Sequence, residues 1–344
     1  MLMSPCQLPP IGALKSRVVM AAMTRGFAGP GHVATADMAE YYGRRADSGV
    51  GLILTEGTII DQSGDGYNGV PYIATPEQTD SWRQVVERVH AGDGKIFSQL
   101  WHCGRISHSD FTGGEPPVSS TNRAAEGQNR QNDKPFGAPR ALETGEMPAV
   151  YGLFRHAAEN AMSAGFDGVQ LHMGHGYLVD QFFDARVNDR TDAYGGSVAN
   201  RCRFALELLE LILADLGPDK VAVRISPSRF MGELYDWPDL DEMLDYLIPA
   251  LEKLGLKMLD ISCANADYFE TSGRVIRQVR SRWRGVLMGG ASLSVEQAEQ
   301  ELSDGFLDLV TWGRHILANS DFAAKVSDGR DIEPFDPAML GSLN

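Results

Sequence analysis

The sequence predicts an α/β chain closed into a single (β/α)8 TIM barrel, with a long capping loop after the third strand. Three observations lead there. A short apolar strand, a polar turn and an amphipathic helical stretch alternate eight times along 344 residues. Such alternation builds a parallel sheet with crossover helices, and eight units is the count of a closed barrel. The first strand runs into Ala21-Ala22-Met23-Thr24-Arg25, without the Gly-x-Gly-x-x-Gly turn that an open doubly wound sheet carries there. Polar residues also stand at the C-terminal ends of several strands, the face on which barrels assemble their sites.

In order, the expected strands are Arg17–Met23, Gly51–Gly57, Lys95–His102, Gly168–Met173, Val221–Ser226, Met258–Cys263, Val286–Gly290 and Leu309–Gly313. The expected helices are Ala36–Ser48, Pro76–Ala91, Met147–Ala164, Val198–Leu216, Leu240–Leu254, Thr271–Trp283, Val295–Leu302 and Ile316–Val326. Composition does not shift along the chain, so residues 1–344 read as one domain. Residues 103–146, rich in Gly, Pro, Ser and Asn, read as a lid or cap within it. A connection of that length in a compact domain is usually functional.

Lys and Arg total 31 against 46 acidic residues, a formal net charge of −15. Nucleic acid and anionic membranes both need a basic surface, so the expected partner is a small molecule. The four cysteines are scattered, with no Cys-x-x-Cys pair, so neither a disulfide framework nor an iron–sulfur cluster is signalled. No leader pattern and no apolar run of spanning length appear, which gives a cytoplasmic expectation. A monomer and a homodimer are both compatible with the chain.

The segment with the most chemistry is residues 168–182. Val169 and Leu171 alternate with Gln170 and His172, as a strand requires. Gly174 and Gly176 then break the strand and leave His172, His175 and Tyr177 crowded at its end. Two imidazoles and a phenol can donate hydrogen bonds to an electron-rich carbonyl and deliver a proton. Taken alone, a histidine at a strand end is more often structural than catalytic. A zinc site lacks a third ligand at suitable spacing.

Other strand ends add Thr24, the Thr55-Glu56-Gly57 turn, and Gln99 with Trp101 on one face of the third strand. Arg224 lies opposite Val223 and Ile225 in an apolar strand, where an unpaired charge would cost several kcal/mol. Either it forms an ion pair with Glu56, or it faces a cofactor that becomes anionic in turnover, as a reduced flavin does. Gly289 and Gly290 end the seventh strand, and Gly313 and Arg314 follow the eighth, where barrels often bind phosphate.

With these residues in place, the sequence resembles the Old Yellow Enzyme family of FMN-dependent ene reductases. The resemblance is carried by Val19-Met20-Ala21-Ala22-Met23-Thr24-Arg25, Leu54-Thr55-Glu56-Gly57-Thr58, residues 95–105, Pro139-Arg140-Ala141-Leu142, residues 168–182, Asn188 to Ser197, Val223-Arg224-Ile225-Ser226-Pro227 and Gly313-Arg314. It implies noncovalent FMN reduced by NADPH or NADH. Thr24, Gly57, Gln99 and Arg224 would contact the flavin ring, and Gly289, Gly290, Gly313 and Arg314 would hold its phosphate. His172 and His175 would grip the carbonyl or nitro oxygen of an electron-poor alkene. Tyr177 would give the proton, and Trp101 would shape the pocket. Hydride would pass from the flavin N5.

Thr24 aligns the chain with members bearing Thr rather than Cys beside the flavin. His175 stands where many members have Asn, which adds a titratable group. Ala22 replaces a common Pro. The stretch after Arg314 is expected to lack the aromatic segment that often walls the pocket. Nitrate-ester or nitroaromatic reduction on the same barrel, and a non-catalytic flavin-binding barrel, are the alternatives. A dienoyl reductase would need a cysteine cluster and a second nucleotide domain.

Overall fold

A computed structural model describes residues 1–230, 233–263 and 266–344. Eight parallel strands close on themselves: β1 (Val18–Met20), β2 (Leu52–Ile59), β3 (Lys95–Trp101), β4 (Gly168–His172), β5 (Val221–Ile225), β6 (Met258–Ile261), β7 (Val286–Gly290) and β8 (Leu309–Trp312). Closure comes from β8 pairing with β1 through Val310↔Val18, Thr311↔Val19 and Trp312↔Met20. The barrel and its eight-strand order match the sequence reading. β1 is shorter than the expected Arg17–Met23, because its ladder stops at Met20 and residues 21–24 leave the sheet to line a cavity.

The outer helices are α1 (Ala36–Asp47), α2 (Pro76–Ala91), α3 (Met147–Ala164), α4 (Leu178–Phe183), α5 (Val198–Leu216), α6 (Leu240–Lys253), α7 (Ser272–Arg280), α8 (Val295–Ser303), α9 (Arg314–Ala318) and α10 (Phe322–Asp328). Local chemistry sets their ends. Thr75 and Gln78 form a capping box at α2, Ser294 and Gln297 another at α8, and Gly165 takes a left-handed conformation after α3. The single expected helix Ile316–Val326 is instead two. Asn319 sits at the break, where its Oδ1 accepts from Glu333 N and its Nδ2 donates to Glu333 O. α4 falls inside the 168–182 segment and was not expected; its single turn and a half is too short to show a helical period.

Period-two alternation sorts each strand into an inner and an outer face. Val19, Leu52, Leu54, Phe97, Ala222, Met258, Val286, Met288 and Leu309 form one cluster inside the barrel. Leu8 and Leu14 join it from a hairpin of Cys6–Leu8 with Gly12–Leu14, which plugs the N-terminal end. Toward the other end the same inner faces turn polar, with Gln99, Gln170, Arg224 and Asp260 all buried.

Residues 103–146 carry two small pairings, Val118–Ser119 with Arg140–Ala141 and Gln128–Asn129 with Lys134–Pro135. The second docks on the loop after β2. Asn68 N donates to Gln131 Oε1 at 3.1 Å, Asn68 Nδ2 to Gln131 O at 2.6 Å, and Asn129 Nδ2 to Gly66 O at 3.3 Å. Among the described residues no helix is long and apolar enough to cross a membrane, and no group of three potential metal ligands occurs. All four cysteines are free.

Candidate functional site at the C-terminal end of the barrel

A cavity of 990 Å³ opens where the strands end. Its wall includes Ala21 to Thr24 after β1, His175 after β4, Arg224 on β5, Ile261 to Cys263 at β6, Gly290 to Ser292 after β7, Gly313 to His315 after β8, and Ile332 to Phe335. The volume is that of a cofactor site. Of the predicted site residues, Thr24, His175, Arg224, Gly290, Gly313 and Arg314 face this one space. Gly57, Gln99, Trp101 and His172 stand toward the neighbouring ends of β2, β3 and β4, and Tyr177 stands at the start of α4.

The glycines have distinct physical reasons. Gly290 has φ +155°, and a Cβ there would lie 2.1 Å from Thr311 O, so only glycine fits. Gly290→Ala is expected to cost at least about 1–3 kcal/mol of stability through backbone strain, read by chemical denaturation. An unchanged midpoint would mean that the strand end can move. A Cβ on Gly313 would come within 3.0 Å of Met23 Sδ, on the cavity side. Gly289 instead makes room for Ile276 of α7, 2.5 Å from its notional Cβ. Gly57 makes room for the Trp101 indole, at 2.3 Å. These two are explained by packing.

Arg224 does not pair with Glu56, as one reading of the sequence had it. Its Nε donates to Asp260 Oδ2 on β6 at 2.6 Å, because the register places Arg224 beside Asp260. Its Nη1 reaches Ala22 O at 3.4 Å. Glu56 turns elsewhere because β2 shifts register between Leu54 and Gly57. Its Oε2 accepts the backbone N–H groups of Arg25 and Gly26, each at 2.9 Å, which steadies the turn bearing Thr24. Burial lifts the Glu56 carboxyl to about 7, against those hydrogen bonds.

His172 and His175 meet edge to face, with ring centroids 5.1 Å apart, and His172 lies 5.1 Å from Tyr177. Gly174 N donates to His172 Nδ1 at 3.4 Å, a long bond that leaves Nε2 to carry the proton. His175 adopts φ +58°, an uncommon conformation for a side-chain-bearing residue, held by its N–H on Ser226 Oγ at 2.6 Å. Its Nε2 is 3.0 Å from Ser262 Oγ.

Burial, with repulsion from Arg224 and Arg229, holds both imidazoles well below their usual value. They are therefore neutral donors, and the titration expected of His175 moves to acid pH. Burial likewise pushes His102 down to about 4. Between pH 6.5 and about 4.5 these three histidines bind protons when unfolded but not when folded, while Glu56 does the reverse. These four groups together therefore take up protons on unfolding, and their contribution to stability should fall as pH drops from 6.5 toward 4.5. A flat or rising denaturation midpoint over that window would contradict the burial of these rings.

Tyr177 was expected from the sequence; its partner was not. Tyr177 Oη lies 2.7 Å from Tyr67 Oη. Both phenols pack against Trp101, with centroids at 4.9 Å and 4.8 Å. Asp65 Oδ1 accepts the Tyr67 N–H at 3.1 Å, and the 128–135 hairpin docks beside it. Burial raises Tyr177 well above the usual phenol value and Tyr67 to about 12, so both keep their protons. Tyr67 lies in a loop without periodicity, so nothing in the sequence marks it. Asp260 was legible, as a lone acid in Met258-Leu259-Asp260-Ile261.

The stretch after Arg314 also differs from expectation. Phe335 lines the cavity, and the Arg314 guanidinium lies 5.2 Å from its ring. Arg25 Nη2 holds the returning chain through Met339 O, Leu340 O and Ser342 O. Arg314 is exposed. The cavity wall therefore carries two guanidinium groups, Arg224 and Arg314, together with Gly290 and Gly313.

The chain has clear relatives. A model of the NADH:flavin oxidoreductase / NADH oxidase family matches residues 1–333. Putative 12-oxophytodienoate reductase 11 of Oryza sativa subsp. japonica is 39% identical over 316 residues, covering 90% of this chain and 85% of the relative. 12-oxophytodienoate reductase 2 of Arabidopsis thaliana is 36% identical over 315 residues, covering 90% and 83%. Among solved structures, the old yellow enzyme homologue from Zymomonas mobilis matches with TM-score 0.93 at 31% identity, covering 100% of this chain and 98% of that one. Morphinone reductase in complex with tetrahydroNAD matches with TM-score 0.89 at 35% identity, covering 98% and 93%.

Proposed function

Since the chain belongs to the NADH:flavin oxidoreductase / NADH oxidase family, the Old Yellow Enzyme family of the sequence motifs, we propose that it is an FMN-dependent ene reductase. It would reduce the C=C bond of α,β-unsaturated carbonyl or nitro compounds with NADPH or NADH. That it is an oxidoreductase of this family follows from the match. The finer reading is supported by one observation above all: Arg224, the neutral His172–His175 pair and the protonated Tyr177 converge at one end of one barrel. The relatives named as reductases of 12-oxophytodienoate and of morphinone, oxo compounds by name, agree with it.

Bound in the cavity, FMN would supply the hydride carrier between nicotinamide and substrate. The chain supplies the rest. Thr24, Gln99 and Arg224 would hold the ring, and Gly290, Gly313 and Arg314 the phosphate. Gly57 and Gly289 contribute by admitting Trp101 and Ile276. His172 and His175 would donate to the substrate's carbonyl or nitro oxygen and stabilise the negative charge that grows there. Loss of one such donor typically costs about 2.7–4 kcal/mol. Tyr177 Oη would give its proton to the α-carbon, and Trp101 would bound the pocket. Residues 103–146, packed on the loop of Tyr67, would shield the site from water.

The test is direct. Purified protein should be yellow and release FMN on denaturation, bleach anaerobically with NADPH or NADH, and recover colour with cyclohexenone. A colourless protein that takes up no FMN would overturn the reading. Bleaching without reoxidation by any enone or nitroalkene would leave a flavin-binding barrel that is not an ene reductase.

A further inference from the structure

The inner faces of four strands carry one continuous polar line. Gln99 Nε2 on β3 donates to Gln170 Oε1 on β4 at 2.7 Å. Gln170 Nε2 donates to Asp260 Oδ2 on β6 at 3.0 Å. Arg224 Nε on β5 donates to the same Oδ2 at 2.6 Å. Gln170 and Asp260 are fully buried, and Gln99 and Arg224 are each 3% exposed. Asp260 Oδ1 has no hydrogen-bond partner among the described residues, so the carboxylate's bonding is concentrated on the oxygen that faces Arg224.

We infer that Asp260 sets how much positive charge Arg224 presents to the flavin, and thereby tunes the flavin's potential. The inference rests on the flavin reading above. A lone guanidinium beside the cavity would act as a full cation. A guanidinium 2.6 Å from a buried carboxylate is half of a neutral pair, and the cavity meets only the positive end of a dipole. A dipole's field falls faster with distance than that of a single charge. Arg224 therefore favours an anionic reduced cofactor less than an unpaired Arg would.

The same carboxylate orients the amides. It only accepts hydrogen bonds, so Gln170 must present its NH2 group to it. The Gln170 carbonyl then faces Gln99, which must present its own NH2 group. The charge on Asp260 thus sets both the strength of the cation and the direction of the amides beside the ring.

The experiment begins with wild-type protein loaded with FMN. Asp260→Asn keeps the size and an acceptor for Arg224 but removes the charge. Its two-electron midpoint potential should rise, and the ratio of dissociation constants for oxidised over reduced FMN should increase about tenfold, equivalent to about 30 mV. If Asp260 served only to hold Arg224 in place, the potential would stay or fall; either result overturns the inference. Should Asp260→Asn fail to fold, Gln170→Met carries the test. Removing the amide donor concentrates the carboxylate on Arg224, so the potential should fall, and an unchanged or raised value overturns the inference. Wild-type protein that binds no FMN overturns the functional reading itself. FMN-loaded wild type with an unmoved variant overturns this inference alone.

Discussion

Tyr177→Phe is expected to slow reduction of the alkene by about 10²–10⁴-fold, the usual contribution of a positioned general acid. Reduction of the flavin by NAD(P)H should be nearly unchanged. The asymmetry follows from geometry. The Tyr177 phenol has its proton, is hydrogen-bonded to Tyr67 Oη at 2.7 Å, and stands edge-on to His172, one of the two donors proposed for the substrate oxygen. Hydride arrival from nicotinamide needs no proton, whereas saturating a C=C bond does. Burial keeps the phenol protonated beyond the ordinary pH range, so the alkene half-reaction should also run flat to at least the usual phenol value. Stopped-flow measurement of the two half-reactions checks both statements. Equal losses in the two, or no loss in either, would remove Tyr177 from the proton path.

The second large effect is expected at Arg224. Arg224→Ala should lower flavin retention and also destabilise the protein itself by roughly 3–5 kcal/mol, the penalty for breaking a buried ion pair from one side. Asp260 is fully buried and would be left with a single Gln170 donor. Replacing both partners, Arg224→Met with Asp260→Leu, should recover much of the stability while flavin retention stays low. Denaturation of the cofactor-free and FMN-loaded forms separates the two effects. Full stability and full retention in Arg224→Ala would show that the ion pair matters to neither.

Much of this could be read from residue order. Alternation of period two placed Gln170 with His172 and Arg224 against Val223, and these assignments hold because a strand's side-chain direction is a local property. The eightfold repeat of strand and helix gave the barrel, since crossover handedness and strand adjacency leave few other ways to arrange it. Strand ends gave most of the cavity wall, for barrels gather those ends on one face.

Other features needed the folded chain. Arg224 could have met Glu56 or a ligand. Its partner is Asp260, because strand register in the closed barrel sets these two side by side while a register shift in β2 turns Glu56 toward Arg25 and Gly26. Gly57 and Gly289 stand where site glycines were expected, yet each yields space to a bulky neighbour from another element. Tyr67 reaches Tyr177 across 110 positions of sequence, and Phe335 meets Arg314 only after the chain has turned back at Asn319. Side-chain direction within a strand is written by nearest neighbours along the chain. Which charge faces which, and which ring lies against which, depends on register and closure, and those emerge only when all eight strands are in place.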